Sequence, residues 1–383
     1  MPRDSPTSMQ SPPLMPMPAP PMEVGAPLAN VDGQCDFANV RSRRLFRLAA
    51  KQGDAEAQHV LGIMHCHGEG GPPDLAEAVR LYGLAAAQGH ANAQCDLGLM
   101  YHNGKGGTLD FAESRRLYRL AAAQGHALAQ AVLGCMHYNG AGGAVDFTEA
   151  RRLFGLAAAQ GQTQAQCNLG NMHLDGKGVP FDFTEARRLF GLAAAQCHSE
   201  AQRRLGHMYF SGEGGPEDRA EARRLFGLAA AQGDANAQRN LGIMHHDGDC
   251  GPQDLAEARR LYGLAAAQGD AEGQSDLGIM CVAGEGGPQD FIEARRLFGL
   301  AAAQGHADAQ YTLGHMHRLG RGGSVDLAET MRLYGLSAVQ GHARAQYTLG
   351  DMYRLGKGGP CDPAFARRLY GLAAAQGDAD AQY

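Results

Sequence analysis

A Leu-Gly pair recurs at a spacing that never varies. Gly62, Gly98, Gly134, Gly170, Gly206, Gly242, Gly278, Gly314 and Gly350 divide the chain into eight steps of 36 residues. A fixed period of this length marks a repeat array, in which each unit is one supersecondary element that buries its apolar face only against its neighbours. The constraint overrides the usual length prior. A chain of 383 residues would ordinarily be shared among two or three globular domains, whereas stacked repeats make one elongated domain.

The unit from Asp54 to Gly89 holds two helices. Helix A covers about residues 54 to 67, with Ala57, Leu61 and Met64 forming an apolar stripe at helical spacing. Gly62 beside this stripe permits a close backbone approach. The run His67-Gly68-Glu69-Gly70-Gly71-Pro72-Pro73 cannot continue a helix and forms the loop. Helix B starts at Asp74, whose carboxylate can accept from the orphan N–H groups of the first turn; Glu77, three residues on, predicts a capping box. The Asp/Glu pair recurs from Asp110/Glu113 to Asp326/Glu329, and at Asp362 the partner is Phe365. Ala78, Leu81, Leu84 and Ala85 are the expected buried face, and Gly89 ends the helix. A glycine in the middle of helix B, as at Gly83, Gly155 and Gly191, costs about 1 kcal/mol against alanine.

Nine such units run from Asp54 to Gly377. Residues 38–53 form a partial repeat holding helix B alone, and residues 378–383 begin a further, truncated one. Residues 1–37 read as a disordered Pro/Met-rich arm, since nine of the chain's 17 prolines fall before residue 28. The same prolines break any signal-peptide core, and no apolar run is long enough to span a membrane. A net charge of −6 leaves no global footprint for nucleic acid. Of the nine cysteines only Cys95 and Cys167 share a phase of the repeat, so no paired pattern recurs and they read as mostly reduced thiols in a cytoplasmic or nuclear protein.

The string from Ala93 to Gly125 follows the pattern A-x-x-x-L-G-x-M-Y/H-x-x-G-x-G, then a capping Asp, then E-x-x-x-L-Y/F-x-L-A-A-x-x-G. It resembles the Sel-like repeats, which are related to tetratricopeptide repeats, and the likeness extends over residues 38–383. The resemblance implies an all-α, right-handed superhelical solenoid whose A helices line the concave side, and an adaptor that gathers other proteins. One departure is systematic. The family tends to place Val after the second loop glycine; Val179 keeps it, but Gly71, Gly107, Gly143, Gly215, Gly251, Gly287, Gly323 and Gly359 replace it, which predicts more mobile loops.

Helix B is nearly uniform among the units, whereas helix A varies at the phases of residues 59, 63 and 66, which share one face. That face carries His59, Ile63, Cys95, Leu99, His102 and Tyr138 in the first half of the array. In the second half it carries Arg203, His207, Phe210, Arg239, His246, Tyr311, His315, Arg318, Tyr347 and Arg354. Asp351 is the one acid among its 27 positions. An acid-poor stripe in an acidic protein is the expected contact surface for a protein or extended peptide. Drift of solvated positions would leave the same variation, so the stripe is an expectation to be tested.

Catalytic chemistry is not legible. Lys105, Lys177 and Lys357 follow glycine but precede another glycine, so no phosphate loop is present, and no G-x-S-x-G or H-E-x-x-H occurs. His65-Cys66-His67 and His315-Met316-His317 are local clusters, yet successive helical residues point about 100° apart and cannot all chelate one ion. The reading is a non-enzymatic scaffold with no cofactor and no metal. An enzyme-associated subunit, or a structural duplication product without a ligand, are the competing readings.

Overall fold

The computed structural model describes residues 35–377, residue 108 excepted, and every regular element among them is an α-helix, 19 in all. Helix α1 spans Cys35–Lys51 and is followed by α2 (Ala55–His67), α3 (Leu75–Ala87) and α4 (Ala91–Asn103). The same alternation of helices A and B continues to Pro363–Ala375. Helix α1 starts three residues ahead of the expected partial repeat. The Pro/Met-rich arm up to residue 34 and the truncated repeat from residue 378 lie outside the described residues.

The chain divides into two compact units, one ending at His198 and the other starting at Ser199. Inside each, a helix packs chiefly on the helices just before and after it, which makes each a solenoid of helical repeats.

The boundaries follow from local chemistry. Asp54 accepts from Ala57 N–H at 2.6 Å and caps α2, and His90 does the same for α4 through Nδ1 at 3.2 Å from Ala93 N. Asp74 accepts from Glu77 N–H at 3.0 Å. The second half of the predicted capping box does not form. The Asp74 N–H donates to His65 O at 2.8 Å instead, and the Glu77 carboxylate takes Arg80 Nε and Nη2, both at 2.7 Å. The backbone donor is thus used to tie the start of helix B to the end of helix A.

Within a repeat, glycine makes room for a ring and not for backbone. A Cβ at Gly62 would lie 2.6 Å from Tyr82 Cε1, and one at Gly134 would lie 2.7 Å from Phe154 Cε1. The rings of Tyr118, Phe154 and Phe190 are accordingly among the most deeply buried side chains. Leu84 departs from the expected core. Ala78, Leu81, Tyr82, Ala85 and Ala86 fill the seam, while Leu84 projects outside that arc with 42% of its surface exposed.

Between repeats, a buried glutamine provides the connection. Gln58 Nε2 donates to Ala50 O at 3.2 Å, and its Oε1 accepts from Gln88 at 2.8 Å. Gln94, Gln130 and Gln166 repeat both bonds. Each buried amide is therefore satisfied as burial requires.

Five of the glycines that replace valine in the loop, Gly71, Gly143, Gly251, Gly287 and Gly323, face an arginine from the preceding repeat, whereas Gly107 has open space around it and Gly359 faces Met331. Arg43 Nη2 lies 2.8 Å from His65 Nδ1, and a Cβ at Gly71 would strike the Arg43 guanidinium. Arg115, Arg223 and Arg295 repeat this against His137, His245 and His317. Arg259 donates to Glu285 O at 3.1 Å in the same place. Where valine is kept, Val179 is buried. Five of the loops predicted to be loose are latched by a cation.

Candidate protein-binding face

The three helix-A phases singled out from sequence have different fates. Phase 59 turns toward the next A helix. His59 is 6% exposed with Nε2 at 2.7 Å from Asp96 Oδ2, and Cys95 is buried. In the second compact unit, Arg239 Nε donates to Asp276 Oδ2 at 2.6 Å and its guanidinium also meets Glu272. Arg203 Nε lies 3.4 Å from Asp234 Oδ2. Tyr311 stacks between Tyr334 and His342, at 5.3 and 4.8 Å between centroids, and Tyr347 tilts against Tyr370 at 5.6 Å.

Phase 63 is more accessible in the second compact unit, whereas Cys135 and Asn171 in the first are buried. Ile63 and Leu99 are half-buried, Ile279 is 50% exposed, and His207 is exposed with Nε2 accepting from Asn240 Nδ2 at 2.9 Å. His315 sits 3.5 Å from the Tyr334 hydroxyl and 3.3 Å from Arg318 Nη2. Burial, with Arg318, Arg321 and Arg344 nearby, holds the His315 pKa below its usual value.

Phase 66 packs on the start of helix B or pairs with charges. His102 and Tyr138 meet Phe111 and Phe147 edge-on at 5.0 Å, and Tyr138 is buried with its hydroxyl 2.9 Å from Lys177 Nζ. Phe210 lies under the Arg219 guanidinium at 4.9 Å. His246 is held between Asp247 and Glu285 at 2.8 and 3.2 Å, and the Asp247 hydrogen bond leads in raising its pKa. Arg354 Nη2 donates to Asp351 Oδ1 at 2.9 Å, its Nε lies 3.2 Å from the Tyr370 hydroxyl, and Arg318 is exposed.

Within each compact unit these residues lie along successive A helices and converge on no single pocket. The acid-poor reading also changes, because Asp96, Asp234, Asp276, Glu285 and Asp351 stand beside the basic members and offset them.

Two features escaped the sequence reading. Leu84, Leu120, Leu156 and Leu192 form an exposed row on the B helices of the first unit, and Leu228, Leu264, Leu300, Leu336 and Leu372 form another in the second, all 40% exposed or more. Their signal lay in the uniform helix-B string, where they were assigned to the core. A cluster of Glu56, His59 and His90 also forms across two repeats. Its members are 34 residues apart at the extremes, so no local motif announces it.

Stacked two-helix repeats define a helical-repeat protein. The Sel1 repeat pattern matches residues 39–54, 55–90, 91–126, 127–162, 163–196, 199–234, 235–270, 271–306, 307–342 and 343–378, and the chain belongs to the Sel1 repeat family. Among solved structures it is similar to a protective antigen of uropathogenic Escherichia coli displaying an SLR fold. That match has 35% identity and a TM-score of 0.76, covering 88% of this chain and 72% of the antigen. It is also similar to a Sel1 repeat protein from Oxalobacter formigenes, at 26% identity and a TM-score of 0.58, covering 64% of this chain and 96% of that one. No curated protein matches the chain. No helix among the described residues is long and apolar enough to cross a membrane.

Proposed function

We propose that the chain is a non-catalytic scaffold that holds a protein or extended peptide along its helix-A face. Sel1 repeats typically mediate protein–protein interaction, and the observation that carries the finer reading is the accessibility of phase 63 in the second compact unit. There Ile279 is half exposed, with the half-buried Ile243 and His315 at the same phase of the flanking repeats. Apolar anchors beside aromatic and arginine side chains are the composition of energetically dominant contact sites. The partner class that fits is an extended segment carrying apolar and acidic side chains.

A second reading rests on the exposed leucines of helix B, since a row of large apolar side chains in water marks a contact surface. The two separate by mutation. Affinity capture with mass spectrometry is run on the intact chain, on a variant with Ile243, Ile279, His315, Arg318 and Arg354 replaced by serine, and on one with Leu264, Leu300 and Leu336 replaced by glutamine. Loss of the same specific partner in the first variant alone supports the helix-A face. Loss in the second variant alone replaces it with the leucine row.

A further inference from the structure

The first two full repeats bring together four side chains that no single repeat contains. Glu56 and His59 lie one turn apart on α2, His90 caps α4, and Asp96 lies within α4. One carboxylate oxygen of Glu56 and one ring nitrogen each of His59 and His90 all lie within 4.8 Å of one another. The two imidazole centroids are 4.8 Å apart. Each ring has a carboxylate on Nε2: Asp96 Oδ2 at 2.7 Å from His59 and Glu56 Oε2 at 2.8 Å from His90. A neutral imidazole that donates from Nε2 keeps a lone pair on Nδ1. For His59 that Nδ1 is buried and has no hydrogen-bond partner, on a side chain only 7% exposed. An unpaired buried nitrogen calls for a ligand or another account.

We propose that Glu56, His59 and His90 form a three-ligand site for a divalent transition metal of the zinc type, with Asp96 fixing the tautomer of His59. Two imidazoles and a carboxylate are a donor set that zinc accepts, at about 2.0–2.2 Å per bond. A carboxylate on the far nitrogen of a ligating imidazole is the arrangement that orients such ligands and raises their basicity. Glu56, 68% exposed, is free to swing inward and close the set. His90 can join because its cap is exchangeable. Its Nδ1 accepts from Ala93 N–H, so the proton sits on Nε2; ligation through Nε2 moves that proton to Nδ1 and trades one cap bond for a metal bond.

The repeat five units further on places a positive charge in the equivalent niche. Arg239, at the phase of His59, reaches Asp276, at the phase of Asp96. Elsewhere the donor set is broken: the next repeat offers Asn92, Cys95, His126 and Val132 at these four positions, and a later one offers Asp308, Tyr311, His342 and Thr348. A bound ion would join α2 to the start of α4 and clamp the first two A helices together.

The test is a titration of the tag-free full chain with Co2+, followed by displacement with Zn2+. One saturable equivalent is expected, with visible absorption of a low-coordinate Co2+ site and a higher melting temperature in its presence. Glu56→Gln, His59→Gln and His90→Asn each weaken binding by about tenfold or more, and asparagine at residue 90 retains a capping side chain. His342→Asn, which removes a capping histidine lacking a second imidazole beside it, leaves binding unchanged. Circular dichroism of each variant without metal establishes that the helices persist. Absence of a saturable equivalent in the wild-type chain overturns the site, as does unchanged affinity in a His59→Gln/His90→Asn double variant, which places the metal on other histidines.

Discussion

The guanidinium of Arg115 bonds to His137 at 2.8 Å from Nη2 to Nδ1, and it fills the space that a side chain at Gly143 would need. One arginine from helix B of one repeat thereby does the work that valine does inside the loop of the next, as Val179 does at its own position. Restoring the valine while the arginine remains overpacks the site. Gly143→Val is therefore expected to destabilise the chain by about 1–3 kcal/mol, and adding Arg115→Ala should recover part of the loss. A double-mutant cycle in chemical denaturation measures the coupling; additive effects would remove the arginine as the reason for the glycine.

The same latch sets a pH dependence. Desolvation first, and then the facing arginine, lowers the pKa of His65, His137, His245 and His317 below the usual 6.5. With the folded value depressed, the contribution is complete above pH 6.5, where both states are neutral. It declines as pH falls from 6.5 toward the folded pKa, because the unfolded chain takes up the protons first. Thermal melts should show stability dropping between about pH 7 and pH 5. Replacing the four histidines by tyrosine, which occupies this phase at Tyr101, Tyr209 and Tyr353, should flatten that decline.

Two cysteines stand where the array otherwise uses glycine. Cys197 has φ 62° at the end of a B helix, and Cys250 has φ 59° in a loop, a left-handed conformation that a side chain disfavours by about 1–2 kcal/mol. Cys197→Gly and Cys250→Gly should each raise the denaturation midpoint. No gain in either would show that a side-chain contact offsets the strain.

The glycines in the middle of helix B behave in the opposite way. A Cβ at Gly83, Gly155, Gly227 or Gly299 meets nothing within 4 Å, so neither close approach nor positive φ calls for glycine there. Alanine at Gly155 and Gly227 should add about 0.5–1 kcal/mol each, read from the shift in midpoint at constant slope.

The period, the capping aspartates and the Ala57/Leu61/Met64 stripe were legible in the sequence because they depend on interactions inside one unit. What was not legible lies between units. The burial of His59, Cys95 and Tyr138 depends on the neighbouring repeat, as do the acids facing Arg203 and Arg239. Glu77 satisfied the local spacing of a capping box, yet the competing donor and acceptor came from Arg80 and the His65 carbonyl. Leu84 fell outside the core because alanines and an aromatic ring already fill the seam.

The glutamine relay provides the sharpest measure of that coupling between units. Gln130 is 4% exposed, donates to Ala122 O at 3.2 Å and accepts from Gln160 at 2.7 Å. Leucine there removes both bonds, while the Ala122 carbonyl keeps the Gly125 N–H at 3.0 Å, so the expected loss is that of two hydrogen bonds, about 1–3 kcal/mol. Gln160 is partly exposed and can turn to water, so Gln160→Ala should cost less than Gln130→Leu. Hydrogen exchange should report the loss as reduced protection at the junction of the two helices that Gln130 connects, Phe111–Ala123 and Ala127–Asn139. Equal and uniform loss throughout the chain would mean that the relay does not govern this junction.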